Sequence, residues 1–500
     1  MVEELIKSIK ELEAIANALA AEIAHPEENI VSRYMRVSYD NVSFVNGKKS
    51  VQQGSKTNLN QEWMSKGTYA TTNVDDLLPH NVKEVSIARD LEPHRFQLPL
   101  KGVELPTEQG LCFMDIPTEI ERYDQEFAEF TKEHQNTGLT RSLNVEQRVI
   151  VNSRGGAAIQ SIPFFMVSYS HAYMPLPTSR DIAAVCTSNQ DIARFTNLIK
   201  FLSDPTTEKR IKGAASFSEA FGKLHALASL QYSSLEEAGI PLAGLYDVVV
   251  VTGVPVHEVF GHHFEEPMDF LSYNKPATFR HGQAIRNKNI TLIDSPHLDL
   301  DGFKVSGYTI VDAYGRKRQT RTHIKDGKCI EFLGSEYADL ENLNRHLNLE
   351  NTENQIFVGN TCQHTDGQFP QPRMSCTILD GKTEDMDLEG KIVVVPHSGR
   401  TSPQEKTYLL HSMECYVIRD GIPRRTIPLR VTGGINQALA NMVLLNDWNY
   451  NPGECGKEAP QSRGMAYVPV SEFTRTQIWR DQQVFPLSLP DKYLQKLMKK

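Results

Sequence analysis

Leu5, Ile9, Leu12, Ile15, Ala16, Leu19 and Ile23 recur at steps of three and four residues. That spacing gathers them into one apolar stripe, so the chain is expected to open with an amphipathic helix packed on its own sheet. Short β-like runs follow at Ile30–Tyr39 and Asn41–Val45, and Asn46-Gly47 supplies a hairpin turn. Proline and glycine punctuate Leu98–Gly110, which reads as a linker or crossover loop. A second helix is marked by Ile116, Ile120, Tyr123, Phe127 and Phe130, with Pro117 in its first turn, where a missing N–H is harmless. Arg148–Asn152, Arg154-Gly155-Gly156 and Ala157–Tyr173 read as strand, turn and longer strand, and a third helix covers roughly Phe217–Ser229.

The pattern changes near Pro241. Tyr246–Val251 is dense in β-branched residues and predicts a buried strand. Beyond it the chain is mostly strands and turns, the turns marked by Asp326-Gly327, Glu389-Gly390 and Asp420-Gly421. Neither an internal repeat nor a low-complexity segment interrupts this. The expected class is α+β: an N-terminal α/β domain, 1–240, with helices packed on a sheet, then a β-rich C-terminal domain, 241–500, built on one helix.

Composition narrows the function classes. A length of 500 residues exceeds one ordinary domain. The 53 basic against 62 acidic side chains give a net charge of -9 with no basic block, which argues against nucleic acid or an anionic membrane as the main partner. Seven cysteines without a CxxC pair do not form an evenly paired disulfide framework and suit a reducing compartment. No secretory h-region and no apolar run of spanning length are found, so a cytoplasmic location is expected. Nucleotide-binding glycine motifs and the G-x-S-x-G elbow are missing too.

One segment is rich in chemistry: His257-Glu258-Val259-Phe260-Gly261-His262-His263, directly after the expected strand. Two neutral imidazoles can hold a catalytic metal, and a nearby carboxylate can take a proton from water. The spacing is H-E-x-x-x-H, not the familiar H-E-x-x-H. Five residues rotate about 140° around a regular helix, whereas four rotate only about 40°. A π-type turn removes the conflict by bringing residues five apart into register. Gly261 makes such a distortion easier. His263 is the competing candidate, although six residues rotate about 240°. The plainer reading is a set of helix-surface histidines, and Glu265-Glu266 reads as a solvated helix face.

These residues resemble the H-E-x-x-x-H signature of the TldD/PmbA family of metallopeptidase-like proteins, once described as modulators of DNA gyrase. Pro370-Gln371-Pro372-Arg373-Met374 is similar to that family's PxPRM segment. Ser412–Ile418 followed by Asp420-Gly421 resembles its strand–turn–strand, and Gly453-Glu454-Cys455-Gly456-Lys457-Glu458 resembles its G-x-C-G-K-E stretch. The four matches run in the same order over about 200 residues, while the N-terminal half matches only loosely.

The resemblance implies a zinc ion held by His257, His262 and Cys455, with Glu258 as general base. It further implies a peptide or unfolded segment as substrate, and a dimer with an identical chain or with a PmbA-like partner. PmbA-like subunits lack the metal motif, which this chain keeps. Lys457 and Glu458 could position the cysteine loop, and Arg373 could bind a peptide carboxylate or brace a loop. Cys362, Cys376 and Cys415 compete for the third ligand position outside the G-x-C-G-K-E context. The alternative function is a non-catalytic binding or regulatory subunit with a structural metal.

Overall fold

The computed structural model describes residues 8–23, 29–65, 68–73, 117–153, 156–173, 176–186, 188–202, 211–230, 244–251, 255–265, 278–334, 360–362, 371–402, 405–459 and 464–487. The expected linker at Leu98–Gly110, and with it Glu266, His364 and Pro370, lies outside them.

Helix α1, Ile9–Glu22, starts where Ser8 caps it. The Ser8 hydroxyl accepts from the Glu11 N–H and the Glu11 carboxylate accepts from the Ser8 N–H, so two otherwise unpaired donors are satisfied. Its stripe of Leu12, Ala16, Leu19 and Ile23 packs on Ile30, Tyr34, Leu59, Val149 and Val151 of the sheet below. That sheet begins with β1 (Asn29–Val45), one 17-residue strand where two short runs were expected. Asn46-Gly47 then turns with positive φ at both positions into β2 (Lys48–Ser65), the mirror-image turn that matches strand twist. After β3 (Thr68–Asn73) come α2 (Pro117–Glu133), β4 (Thr137–Asn152), β5 (Ala157–Tyr173) and β6 (Leu176–Val185).

Short helix α3 (Asn189–Arg194) and α4 (Phe217–Ala228) complete this half. Together with α2 they bury Tyr123, Phe127, Phe130, Phe165, Phe195, Phe217 and Phe221 in one aromatic-rich core. Every pairing in this sheet is antiparallel. The helices therefore cover it without βαβ crossovers. Two strands from beyond residue 241, β9 (Asp299–Leu300) and β10 (Phe303–Val305), extend its edge at β6.

The second sheet carries the chemistry. Its strands are β7 (Gly244–Val250), β8 (Ile290–Asp294), β11 (Arg321–Lys325), β12 (Lys328–Cys329), β15 (Cys376–Gly381), β16 (Ile392–Ser402), β17 (Thr407–Arg419), β18 (Ile422–Thr426), β19 (Leu429–Gly434), β20 (Met442–Ala459) and β21 (Gly464–Pro486). A separate small pair is formed by β13 (Thr361–Cys362) and β14 (Gln371–Pro372). The long strand β21 pairs with both β19 and β7, so the path β21–β19–β17–β16–β7 closes on itself as a small barrel. Closure covers the strand edges where these pairings run, and β16 beyond Val394 pairs with β17 alone among the described strands. Val248, Val250, Ile392, Val394, Leu410, Val417, Val431 and Trp479 belong to the buried core of this half.

Some elements escaped the sequence, α3 in the first half among them. The structure adds a helix, Ile435–Asn441, to the single one expected in the second half. Its Ile435, Ala438 and Leu439 join the same core. Among the described residues, no helix is long and apolar enough to cross a membrane.

Candidate metal centre

Strand β7 delivers the chain to a short helix that begins at Pro255, where proline is tolerated. From His257 to Gly261 this helix is a π-turn, and α5 (His262–Glu265) continues it. The His262 N–H donates to the His257 carbonyl, the five-residue bond that H-E-x-x-x-H requires. The two imidazoles then lie on one face, ring centroids 4.7 Å apart and planes inclined at 71°. Gly261 serves by close approach, since its φ is not positive. A Cβ there would stand 2.4 Å from Met374 Sδ. Val259, Phe260 and Phe264 anchor the turn in the core, with Phe264 stacked on Phe279 and on His323.

Four side chains converge beside this turn. Donor atoms of His257, Glu258, His262 and Cys455 all lie within 4.8 Å of one another. Cys455 comes from β20, opposite Val468 of β21, and its Sγ is 3.3 Å from His262 Nε2. Glu258 Oε2 is 3.6 Å from the same nitrogen. His257 and Cys455 are buried, whereas Glu258 and His262 are partly open to solvent. His263 faces elsewhere, its ring edge-on to Phe279 at 5.8 Å, and takes no part in the cluster.

The donor set fits a metal ion. His257 Nδ1 is 3.3 Å from the Thr377 hydroxyl, which leaves Nε2 buried with no hydrogen-bond partner among the described residues. A buried nitrogen in that state is costly unless something binds it. Burial opposes ionisation of the Cys455 thiol, but His262, His257 and Arg373 outweigh it and hold the sulfur well below its usual range. Burial likewise works against charge on His262, and Cys455, Glu265 and Glu258 hold its pKa well above the ordinary value. For Glu258, burial pushes upward and the two imidazoles with Arg373 pull the carboxyl below its usual range. A thiolate and two imidazoles are the soft and borderline donors that suit zinc.

The comparisons with known proteins bear on the same part of the chain. Residues 244–477 match the family model described as the PmbA/TldA metallopeptidase C-terminal domain. All four converging residues fall within that span. Residues 244–477 carry the C-terminal domain of the TldD/PmbA family. Among solved structures, TldE from Thermococcus kodakarensis is 11% identical, with a TM-score of 0.61 over 95% of this chain and 100% of that one. A protein from Bacteroides thetaiotaomicron, described as a candidate modulator of DNA gyrase, is 14% identical. Its TM-score is 0.59, over 96% of this chain and 99% of that one. A similarly described protein from Thermotoga maritima is 14% identical, with a TM-score of 0.57 over 95% and 100% of the two chains. At such identities the likeness is one of fold, and it includes the loosely matching N-terminal half. No match was found among curated proteins.

Several residues around the cluster were missed or misread. Glu265 is not on a solvated face: it is fully buried, accepting from the Met374 N–H at 2.6 Å and lying 3.0 Å from His262 Nδ1. Its position three residues after His262, one helical turn on, is the signal that could have found it. Arg373 is fully buried, 3.6 Å from Glu265, and donates to the Cys455 carbonyl at 2.6 Å. That is bracing from inside the protein. Glu472 of β21 accepts from the His257 N–H at 2.5 Å.

The other candidates divide. Cys376 and Cys415 are buried in two different cores, away from the donor set. Cys362 shares a small cluster with Cys455, and its sulfur accepts from Arg318. Lys457 and Glu458 continue β20, paired with Ala466 and Met465, and their side chains lie outside the described ones. His397 is exposed.

Proposed function

We propose that this chain is a zinc-dependent peptidase that hydrolyses peptides or unfolded segments. The observation that carries the reading is the convergence of His257, His262, Cys455 and Glu258 within 4.8 Å, on a π-turn that H-E-x-x-x-H spacing demands. His257, His262 and Cys455 would hold the metal. Bound there, zinc would supply a Lewis acid that polarises a carbonyl and acidifies a water molecule. Glu258, ionised and partly open to solvent, is the group placed to take that water's proton. The water oxygen bonds to the scissile carbonyl carbon, the C–N bond breaks, and Glu258 returns the proton to the departing amine.

Substrate is expected to add as an extra strand. Past Val394, no described strand other than β17 pairs with β16. That stretch runs beside the base, since a Cβ on Gly399 would lie 3.4 Å from Glu258 Cβ. A peptide laid there would be held by its backbone, which gives weak sequence preference. A dimer, with an identical chain or a PmbA-like partner, a cytoplasmic location that keeps the thiol reduced, and a division near residue 240 complete the reading.

The same geometry favours one other reading. With Glu258 as a fourth ligand the site would be closed, as in a structural zinc centre of a regulatory subunit. Glu258→Gln separates the two. As a general base, its loss should leave zinc content and fold intact and reduce peptide cleavage by about 10²–10⁴-fold. Unchanged cleavage, or lost zinc, would defeat the assignment.

A further inference from the structure

The π-turn and α5 carry two imidazoles and the carboxylate, and β20 carries the thiol, 193 residues from His262 along the chain. These parts must be held in register, because a metal site tolerates little error in donor placement. Two fully buried side chains connect them. Glu265 sits at the end of α5 and Arg373 lies between it and β20.

We infer that Glu265 and Arg373 are positioning residues of the metal centre, Glu265 acting through His262 and Arg373 through the Cys455 backbone. The inference rests on the metal reading above. Glu265 Oε2 receives the Nδ1–H of His262, so that proton stays on Nδ1 and Nε2 is presented towards Cys455 and Glu258. Glu265 Oε1 is itself fixed by the Met374 N–H. Arg373 faces Glu265 with one nitrogen and grips the Cys455 carbonyl with the other. A donor from the helix and a donor from the strand are thereby tied to one carboxylate–guanidinium pair.

The two imidazoles are supported unequally. His262 leans on a carboxylate, while His257 leans on the neutral Thr377 hydroxyl. A carboxylate behind a ligating histidine raises its strength as a donor and fixes its tautomer. Loss of Glu265 should therefore weaken metal binding more than loss of the Thr377 hydroxyl. A merely structural ion pair would behave differently: its removal would lower the unfolding temperature and leave the centre of every folded molecule unchanged.

The test uses the full chain and the metal alone. Zinc affinity is measured by chelator competition, and the cobalt-substituted centre by its visible spectrum, for wild type, Glu265→Gln, Arg373→Lys and Thr377→Val. Glu265→Gln is expected to weaken zinc binding about 10- to 100-fold and to alter the cobalt spectrum, with Thr377→Val weakening it less. Arg373→Lys keeps the charge but cannot span both partners, and should shift the cobalt spectrum in folded protein. If Glu265→Gln does not fold, Arg373→Lys decides alone. Unchanged affinity and spectrum in whichever of the two folds would overturn the inference. Wild-type chain that takes up no zinc would sink it together with the metal reading. Zinc uptake without peptide cleavage would sink only the peptidase.

Discussion

Two buried clusters of charge, one in each half of the molecule, differ in what they leave open. In the first sheet Arg141 donates to Asp40 at 2.7 Å and to Asp124 at 2.8 Å. Lys49 meets the second oxygen of Asp124, and Gln53 donates to the second oxygen of Asp40. Every carboxylate oxygen there has a donor, and the result ties α2 to β1, β2 and β4. Beside the π-turn, by contrast, donor atoms converge on one another and His257 Nε2 finds no hydrogen bond among the described residues. A saturated cluster fastens elements together. A convergent, unsaturated one is arranged to bind something.

The largest effect that would test this contrast falls on the saturated side. Arg141→Met removes the cation between two buried carboxylates, and breaking such a pair typically costs about 3–5 kcal/mol. The first sheet should unfold at markedly lower denaturant concentration, while zinc affinity per folded molecule stays at the wild-type value. A parallel fall in zinc affinity would show that the two clusters are coupled. That would break the comparison.

On the convergent side, Cys455→Ser should act in the opposite sense. Zinc sites in small proteins are worth roughly 10–16 kcal/mol over four ligands, or roughly 2.5–4 kcal/mol each. Loss of the thiolate is therefore expected to weaken zinc by about 10²–10³-fold, read by chelator competition. Metal-free Cys455→Ser should unfold close to wild type, because a serine hydroxyl is no larger than the thiol it replaces. Zinc retained at full affinity in this variant and lost in His263→Ala would overturn the ligand assignment.

The same contrast explains what the sequence disclosed. The first half was legible as elements: the stripe of α1, Pro117 at the start of α2, the Asn46-Gly47 turn and the bounds of β5 all follow from local chemistry. Its sheet order was not, because pairing β1 with β4 needs contacts more than 90 residues apart. The π-turn was legible because five-residue spacing is incompatible with a regular helix. Cys455 came only through resemblance, since no local pattern joins it to His262. Glu265 was misread for a different reason. Three of the four residues of α5 are buried, so there is no polar face for periodicity to reveal. The strand-rich barrel hid the helix Ile435–Asn441 similarly, as seven residues give too few turns for a stripe.

The smallest expected effect probes the hinge between the two kinds of order. Gly261→Ala places a methyl group 2.4 Å from Met374 Sδ, inside van der Waals contact, so the methionine must move. Alanine is the better helix former by up to about 1 kcal/mol, which offsets part of an overpacking cost of about 1–3 kcal/mol. A net loss of about 1 kcal/mol in stability follows. Met374 is also the residue whose N–H fixes Glu265, so its displacement should weaken zinc several-fold as well. Shortening the neighbour in Gly261→Ala/Met374→Ala removes the clash and should return zinc affinity towards that of Met374→Ala alone. If the double variant binds no better than Gly261→Ala, the glycine is needed for the π-turn backbone itself and not for the room it leaves Met374.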